Sequence, residues 1–237
     1  MGSDRHRKKK RSVIVTGIIF LVSLVLMGHA VFEPLEEKTI DLRLRLWRQR
    51  RAPQIPMALI LVDDASLDAM APLVGRWPWP RGVHARLIDF LAVAGAKAVV
   101  MDLLFSEVQT GTGSDGGTRD DDRRLCEATR MAGNVYHALQ LVRGESGGES
   151  VAVAGTRLGG EFKEAFALDV KGGGGPQYQD AYPPFADLHP AAKGVGVVTF
   201  NADSDGVFRR ERLLFSHGEE QYASLGLVPV LDLLEIE

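Results

Sequence analysis

An α/β fold is predicted: a strand-helix-strand sheet with helices on both faces plus an antiparallel hairpin, preceded by one N-terminal transmembrane helix. Three stretches carry this expectation. Ala58 to Phe105 alternates short branched apolar runs with an amphipathic segment, Gly194 to Phe215 places two strand-like runs across an Asp-Gly turn, and Val13 to Phe32 is a run of 20 residues without Asp, Glu, Lys or Arg. Short apolar runs bounded by turn residues read as buried strands, helical spacing as one covered helix face, and a long uncharged run as a membrane span.

The chain has 237 residues, 45% of them hydrophobic, enough for one globular domain with a sizeable core. Its net charge of -3 is unevenly spread. Residues 1–32 carry Arg5, Arg7, Lys8, Lys9, Lys10 and Arg11 against Asp4, which is +5 and leaves -8 for the rest. The boundaries follow: residues 1–11 form a basic cytoplasmic head, 12–32 a transmembrane signal anchor, and 33–237 an extracytoplasmic domain. At 1.5 Å per residue the apolar run spans the roughly 30 Å hydrocarbon core. A cleaved signal peptide is the alternative, since Gly28-His29-Ala30 has the small-residue spacing of a cleavage site. Both readings export the remainder; the anchor places it at the inner membrane, single-pass, facing the periplasm or the outside. The acidic remainder has no footprint for nucleic acid.

Glu33 to Arg51 reads as a solvated helix entered at Pro34, and Pro53 and Pro56 end it. Ala58 to Val62 is predicted as a strand, followed by an acidic-polar turn (Asp63, Asp64, Ser66) and the block Arg76-Trp77-Pro78-Trp79-Pro80-Arg81. Val83, Leu87, Ile88, Leu91 and Ala94 then keep helical spacing, Gly95 stands where a left-handed cap is wanted, and Ala98 to Leu104 is a second strand. Trp77 and Trp79 are expected to pack into the turn that opens the helix.

Gly111-x-Gly113-x-x-Gly116 matches the dinucleotide fingerprint by letter, yet five residues separate it from the strand, and Asp120, Asp121 and Asp122 crowd the next helix, Arg119 to Met131. Gly144-x-Ser146-x-Gly148 matches a nucleophile elbow but lies between the strand-like runs Asn134 to Val142 and Val151 to Ala154, where a hairpin loop is the simpler account. Asn201, Asp203, Asp205 and Gly206 resemble the start of a calcium loop, whose twelfth position is here Arg212. A turn is expected there, joining Gly194 to Phe200 with an antiparallel partner, Val207 to Phe215. Tyr222 to Leu234 is expected to be a last helix. Cys126 is the single cysteine, so no intramolecular disulfide forms.

The order Ile40-Asp41-Leu42-Arg43, Leu61-Val62-Asp63-Asp64-Ala65-Ser66-Leu67, Gly75-Arg76-Trp77-Pro78-Trp79-Pro80-Arg81, His84-Ala85, Leu91, Gly95-Ala96-Lys97, Asp102-Leu103-Leu104-Phe105-Ser106-Glu107 and, late in the chain, Asp203-Ser204-Asp205-Gly206-Val207-Phe208-Arg209 resembles the CHASE domain of the second type. The resemblance implies a bacterial extracytoplasmic sensor module set between an N-terminal anchor and C-terminal membrane helices that lead to a cytoplasmic cyclase or kinase. It further implies that the chain, ending at Glu237, is truncated before those helices and before any output domain.

In an open parallel sheet, ligands bind beyond the carboxyl ends of the strands. The candidate ligand-binding residues are therefore Asp63, Asp64, Ser66, Arg81, His84 and Asp102. As an alternative, Asp63 and Ser66 cap turns and Arg81 pairs with Asp102. The six histidines, His6, His29, His84, His137, His189 and His217, show no metal-ligand spacing. The expected function is a membrane-anchored sensor that binds an unidentified signal, without enzymatic activity, cofactor or metal. Its expected partners are the membrane, an extracytoplasmic ligand and, as an open option, a second copy of the chain. The alternatives are an exported binding or structural protein without signalling, and an exported hydrolase.

Overall fold

The alternation of side chains along one strand, Val135–Val142, decides how the larger part of the molecule is layered. The structure is a computed structural model that describes residues 15–23, 32–47, 56–109, 117–143, 158–170, 176–203 and 205–235. The chain divides into two compact units, Met1–Leu59 with Ala202–Arg209, and Ile60–Asn201 with Arg210–Glu237.

The first unit contains helix α1 (residues 15–23), whose described side chains are exposed, and helix α2 (Phe32–Trp47). Apart from Phe32, the rest of the expected 12–32 anchor lies outside the described residues. Among the described residues no helix is long and apolar enough to cross a membrane. The turn near Asp203 belongs to this unit. It is closed by the Gly206 amide on the Asp203 carbonyl at 2.9 Å and by the Val207 amide on Asp205 Oδ1 at 3.1 Å.

In the second unit, helices α3 (Asp64–Val74) and α4 (Arg81–Val93) precede strand β1 (Val99–Met101). Helix α5 (Gly117–Ala132) leads into β2 (Val135–Val142), which is followed by α6 (Gly160–Phe166), β3 (Gln177–Tyr178) and β4 (Asp180–Tyr182). A 3-10 turn (His189–Ala191) leads to β5 (Gly194–Val197), the hairpin β6 (Leu214–His217) and β7 (Glu220–Ala223), and α7 (Val228–Leu233). β1 and β5 run parallel to β2, and β4 runs antiparallel to its second half. Leu139 and Leu141 direct their backbone groups to the β5 side, where Val198 and the Thr199 hydroxyl take them, so β4 occupies the β1 edge. A second sheet has the order β3-β6-β7.

Period two sorts the layers. Val135 points into a core with Ala85 and Ile88 of α4, Leu125 and Ala128 of α5, and Val99 and Met101 of β1. His137, on the same face, meets the Thr129 hydroxyl of α5 at 3.2 Å. Leu139 and Leu141 continue this face into a second core with Phe162, Tyr178, Phe215 and Tyr222. Tyr136 and Ala138 point the other way, against Leu225 and Val228. Helices thus cover both faces of this sheet, α4 and α5 on one and α7 on the other. The two strand glycines of β5 make the second cover possible. A Cβ at Gly196 would stand 2.4 Å from Leu225 Cα, and one at Gly194 2.7 Å from Val228 Cγ1.

The helix after Pro80, its stop, the Arg119 helix and the strands at Asn134 and Gly194 follow the expected pattern. Gly95 sits at φ 80, with its amide on the Ala92 carbonyl and the Ala96 amide on the Leu91 carbonyl, the paired bonds that close a helix at a left-handed glycine. Four expectations are corrected. Ala58 to Val62 is exposed and forms no strand, because a branched run favours extended backbone but a ladder needs a partner, and the described partner of β1 is β2. Asp63 begins helix α3 rather than a turn, since its side chain accepts the Ser66 amide as an N-cap. The run after Gly206 forms its strand only at Leu214–His217, and its antiparallel partner is β7 instead of β5; Gly218, at φ 64, makes the tight reversal. The expected last helix is strand β7 up to Ala223, where backbone pairing to β6 outweighs helical spacing, and helix only from Val228. The Gly111 and Ser146 loops and the run Val151 to Ala154 lie outside the described residues.

Two measurements check this packing. Gly196→Ala should lower stability by about 1–3 kcal/mol, the usual cost of overpacking, read as a fall of roughly 2–4 °C in melting temperature per kcal/mol. Burial lowers the pKa of His137 from 6.5 to about 4. The unfolded chain therefore takes up this proton first, and the stability contributed by neutral His137 is complete above pH 6.5 and falls as the pH drops towards 4. Denaturant titrations at pH 7 and pH 4 should show about 3 kcal/mol of loss that is absent in His137→Gln.

Candidate functional site

Arg81 opens helix α4 directly after Pro80, whose fixed φ of -53 suits a helix start. The residue is buried, and a guanidinium cannot shed its charge. Partners must therefore come to it. Nη1 donates to Asp122 Oδ1 of α5 at 2.5 Å, Nη2 donates to the Glu107 carbonyl, and the cation lies 4.6 Å from the ring centre of Phe185 and 5.5 Å from that of Phe105. The second Asp122 oxygen accepts the Gln109 amide at 3.0 Å, and the Gln109 side-chain oxygen accepts the Arg81 amide at 3.3 Å. One ion pair thus pins α4, α5, the 105–109 segment and the Phe185 turn to each other.

His84, one turn along α4, is enclosed by rings: Phe105 at 5.4 Å, Trp77 at 6.0 Å and Trp79 at 6.2 Å. Burial first, and the Arg81 charge second, lower its pKa, so the imidazole is neutral. Trp79 is buried as expected, while Trp77 is 43% exposed and forms the outer edge of this aromatic group.

Against Asp122 and Phe185 lies an open cleft of about 930 Å³. One wall is the face of α5 bearing Arg123, Cys126, Glu127 and Arg130. Asp187, Pro190 and Val108 complete the lining. Arg123 is engaged by Asp120 at 3.0 Å. Burial raises the Cys126 thiol to about 11, with Asp187 adding to the rise and Arg130 opposing it, so the thiol is protonated at neutral pH.

Of the sequence-predicted residues, Arg81 and His84 come together, around Phe105. Asp63 accepts the Ser66 amide at 2.9 Å and its hydroxyl at 2.6 Å, which holds the Asp63 carboxyl below the usual range. Asp64 is exposed at the start of α3, and Asp102 is exposed just after β1. No hydrogen bond or ion pair among the described residues joins Asp63 or Asp64 to Asp102, and the carboxylate partner of Arg81 is Asp122. Asp122, Phe185, Arg130 and Asp187 were not foreseen. One signal was present: Asp122 shares the stripe Leu125, Cys126, Thr129, whose helical spacing marks the covered face of α5, and a carboxylate on that face needs a buried cation.

The late motif builds a separate cluster within the first unit. Arg209 makes two bonds to Asp41 of α2, at 2.7 and 3.0 Å, two to Asp205, at 2.8 and 2.7 Å, and one to Asp203 at 3.3 Å. Its hydrogen bonds hold the Asp205 carboxyl down to about 2 and lower that of Asp41. The calcium-loop likeness is thereby accounted for, since Asp203 and Asp205 serve a guanidinium.

The Arg81 network predicts an asymmetry. Asp122→Ala leaves a buried cation without its counter-charge and should cost about 3–5 kcal/mol in urea unfolding. The double change Arg81→Met with Asp122→Leu should recover most of that loss, because no charge then remains to be paired.

No curated protein and no solved structure matches the chain. The family of the CHASE2 domain, a sensory extracellular domain, matches residues 15–237, nearly the whole length. The motif residues around Arg81 and His84, and those that meet at Arg209, all fall inside that span, and the chain belongs to the CHASE2 domain family.

Proposed function

We propose that the chain is the sensory part of a membrane-anchored signalling protein, held by residues 12–32 with its N-terminus inside the cell, and that its signal is a small molecule bound in the cleft beside α5. Its role is binding without catalysis. The observation that carries this reading is the shared wall: Asp122 and Phe185 line the cleft and also hold Arg81. A ligand displacing either would be felt at the start of α4 and along residues 105–109. Family membership supports the sensory role, and the basic head before a 20-residue uncharged run supports the orientation. Asp63 and Asp64 at the start of α3, with Asp102 after β1, remain a second proposed site. The cleft is preferred because it is concave and its lining combines apolar and charged side chains.

Two experiments test this. A reporter active only outside the cytoplasm, fused after Glu237, should be active, and activity of a cytoplasm-only reporter at that point would reverse the orientation. Native mass spectrometry of the full chain, exposed to a low-molecular-mass extract, should show a retained small molecule. Glu127→Trp, at an exposed position of the lining, should lose it while keeping a cooperative melting transition. Equal retention by this variant would place the ligand elsewhere.

A further inference from the structure

Ala58 to Val62 carries the branched, uncharged residues of a strand, yet none of the described residues pairs with it. Its side chains are bare in both directions. Leu59 and Leu61 are 79% and 62% exposed, and Ile60 and Val62, which alternate with them, 53% and 42%. Natural proteins guard an open strand edge with a charge or a proline, and Met57 to Val62 contains neither. An unguarded apolar run of this kind marks an interface. The backbone shows which side of it is free. The Ser66 hydroxyl, held by Asp63, stands 3.3 Å from the Leu61 carbonyl and closes the side to which Leu61 points. Successive residues of a strand direct their backbone groups to opposite sides, which leaves Ala58, Ile60 and Val62, none of them bonded through its backbone among the described residues.

We infer that this run is a dimer seam, which pairs antiparallel with the same run of a second copy about a twofold axis at Ile60. Ile60 then exchanges both backbone bonds with its own copy, and Ala58 with Val62 of the second copy. The register sets no charge against a like charge, since the first acids beyond the run, Asp63 and Asp64, fall opposite Met57 and Pro56. The bare area also suits a pair. The exposed side chains of Met57 to Val62 amount to on the order of 600 Å² per copy, close to the roughly 800 Å² that a standard interface takes from each partner. A ribbon of two strands is marginal by itself and needs a cover. Helix α3 adjoins it, beginning at Asp64, and has no buried residue, with Leu73 75% exposed. The chain's own β1 is not the occupant, because β1 and the run are both described and do not pair.

Sedimentation velocity of the full chain in detergent reads the association. The parent should be a dimer at micromolar concentration. Ile60→Lys, which sets two ammonium groups across the axis, should raise the dissociation constant at least ten-fold and, as a monomer, melt like the diluted parent. Introduced cysteines read the register, with the parent and its buried Cys126 as the background. A short bifunctional methanethiosulfonate should join Ile60→Cys into a covalent dimer. It should leave Val62→Cys, whose own copy lies four residues away along the strand, at the parent's level. A parent that stays monomeric, an Ile60→Lys dimer as tight as the parent's, or a Val62→Cys yield equal to that of Ile60→Cys overturns the seam. So does an Ile60→Lys monomer that melts well below the parent, because the run is then packed on its own chain.

Discussion

A permanently charged side chain inside the protein dictates much of the second unit. Arg81 cannot be neutralised by losing a proton, so burying it demands a carboxylate, a carbonyl and polarisable surfaces in fixed places. Asp122, the Glu107 carbonyl and the rings of Phe105 and Phe185 meet that demand. Each comes from a different segment, so one guanidinium sets the approach of α5 to α4 and the path of residues 105–109. The Asp121 carboxylate occupies the space beside Gly82, with Oδ1 2.5 Å from where a Cβ would stand. Buried pairs of this kind contribute little net stability, but they are intolerant of losing one member. Their value here is positional: the pair holds the wall of the cleft in register with the start of a helix.

The same economy of space governs the other face. β2 sends alternate side chains to two cores, and the small residues of β5 on one side, Gly194 and Gly196, let Leu225 and α7 sit close on the strand. Val195 and Val197, pointing the other way, fill the second core. A four-residue strand thus serves two layers with two residue sizes. Neutral His137 belongs to the same constraint, because a strand position facing α5 admits its ring only without charge.

In the first unit the Arg209 side chain is also enclosed, only 5% exposed, and its charge plays a different part. Asp41 and Arg209 are 168 residues apart, yet they form a two-bond pair, and Asp203 and Asp205 surround the same guanidinium. The family motif therefore contains both ends of one contact. Its conservative reading is a clasp that holds the turn to helix α2. As sensory architecture, it links the segment that leads from the predicted anchor to a turn formed late in the chain.

The family, the mixed α/β class, helix α4 with its glycine stop, helix α5 and the strands at Asn134 and Gly194 were legible in the amino-acid order. Each is a local periodicity closed by a residue with a fixed backbone preference, such as Pro80 or Gly95. Pairing was not legible in this way. The run Ala58 to Val62 has every local mark of a strand but pairs with none of the described residues, and the run ending at Phe215 chose β7 over β5, because a ladder is decided by which edges reach each other. The candidate site divides along the same line. Arg81 and His84 were found because they lie close in sequence to the expected strand ends. Asp122 and Phe185 were missed because only the folded chain brings them to Arg81, across 41 and 104 residues, where burial of its charge requires them.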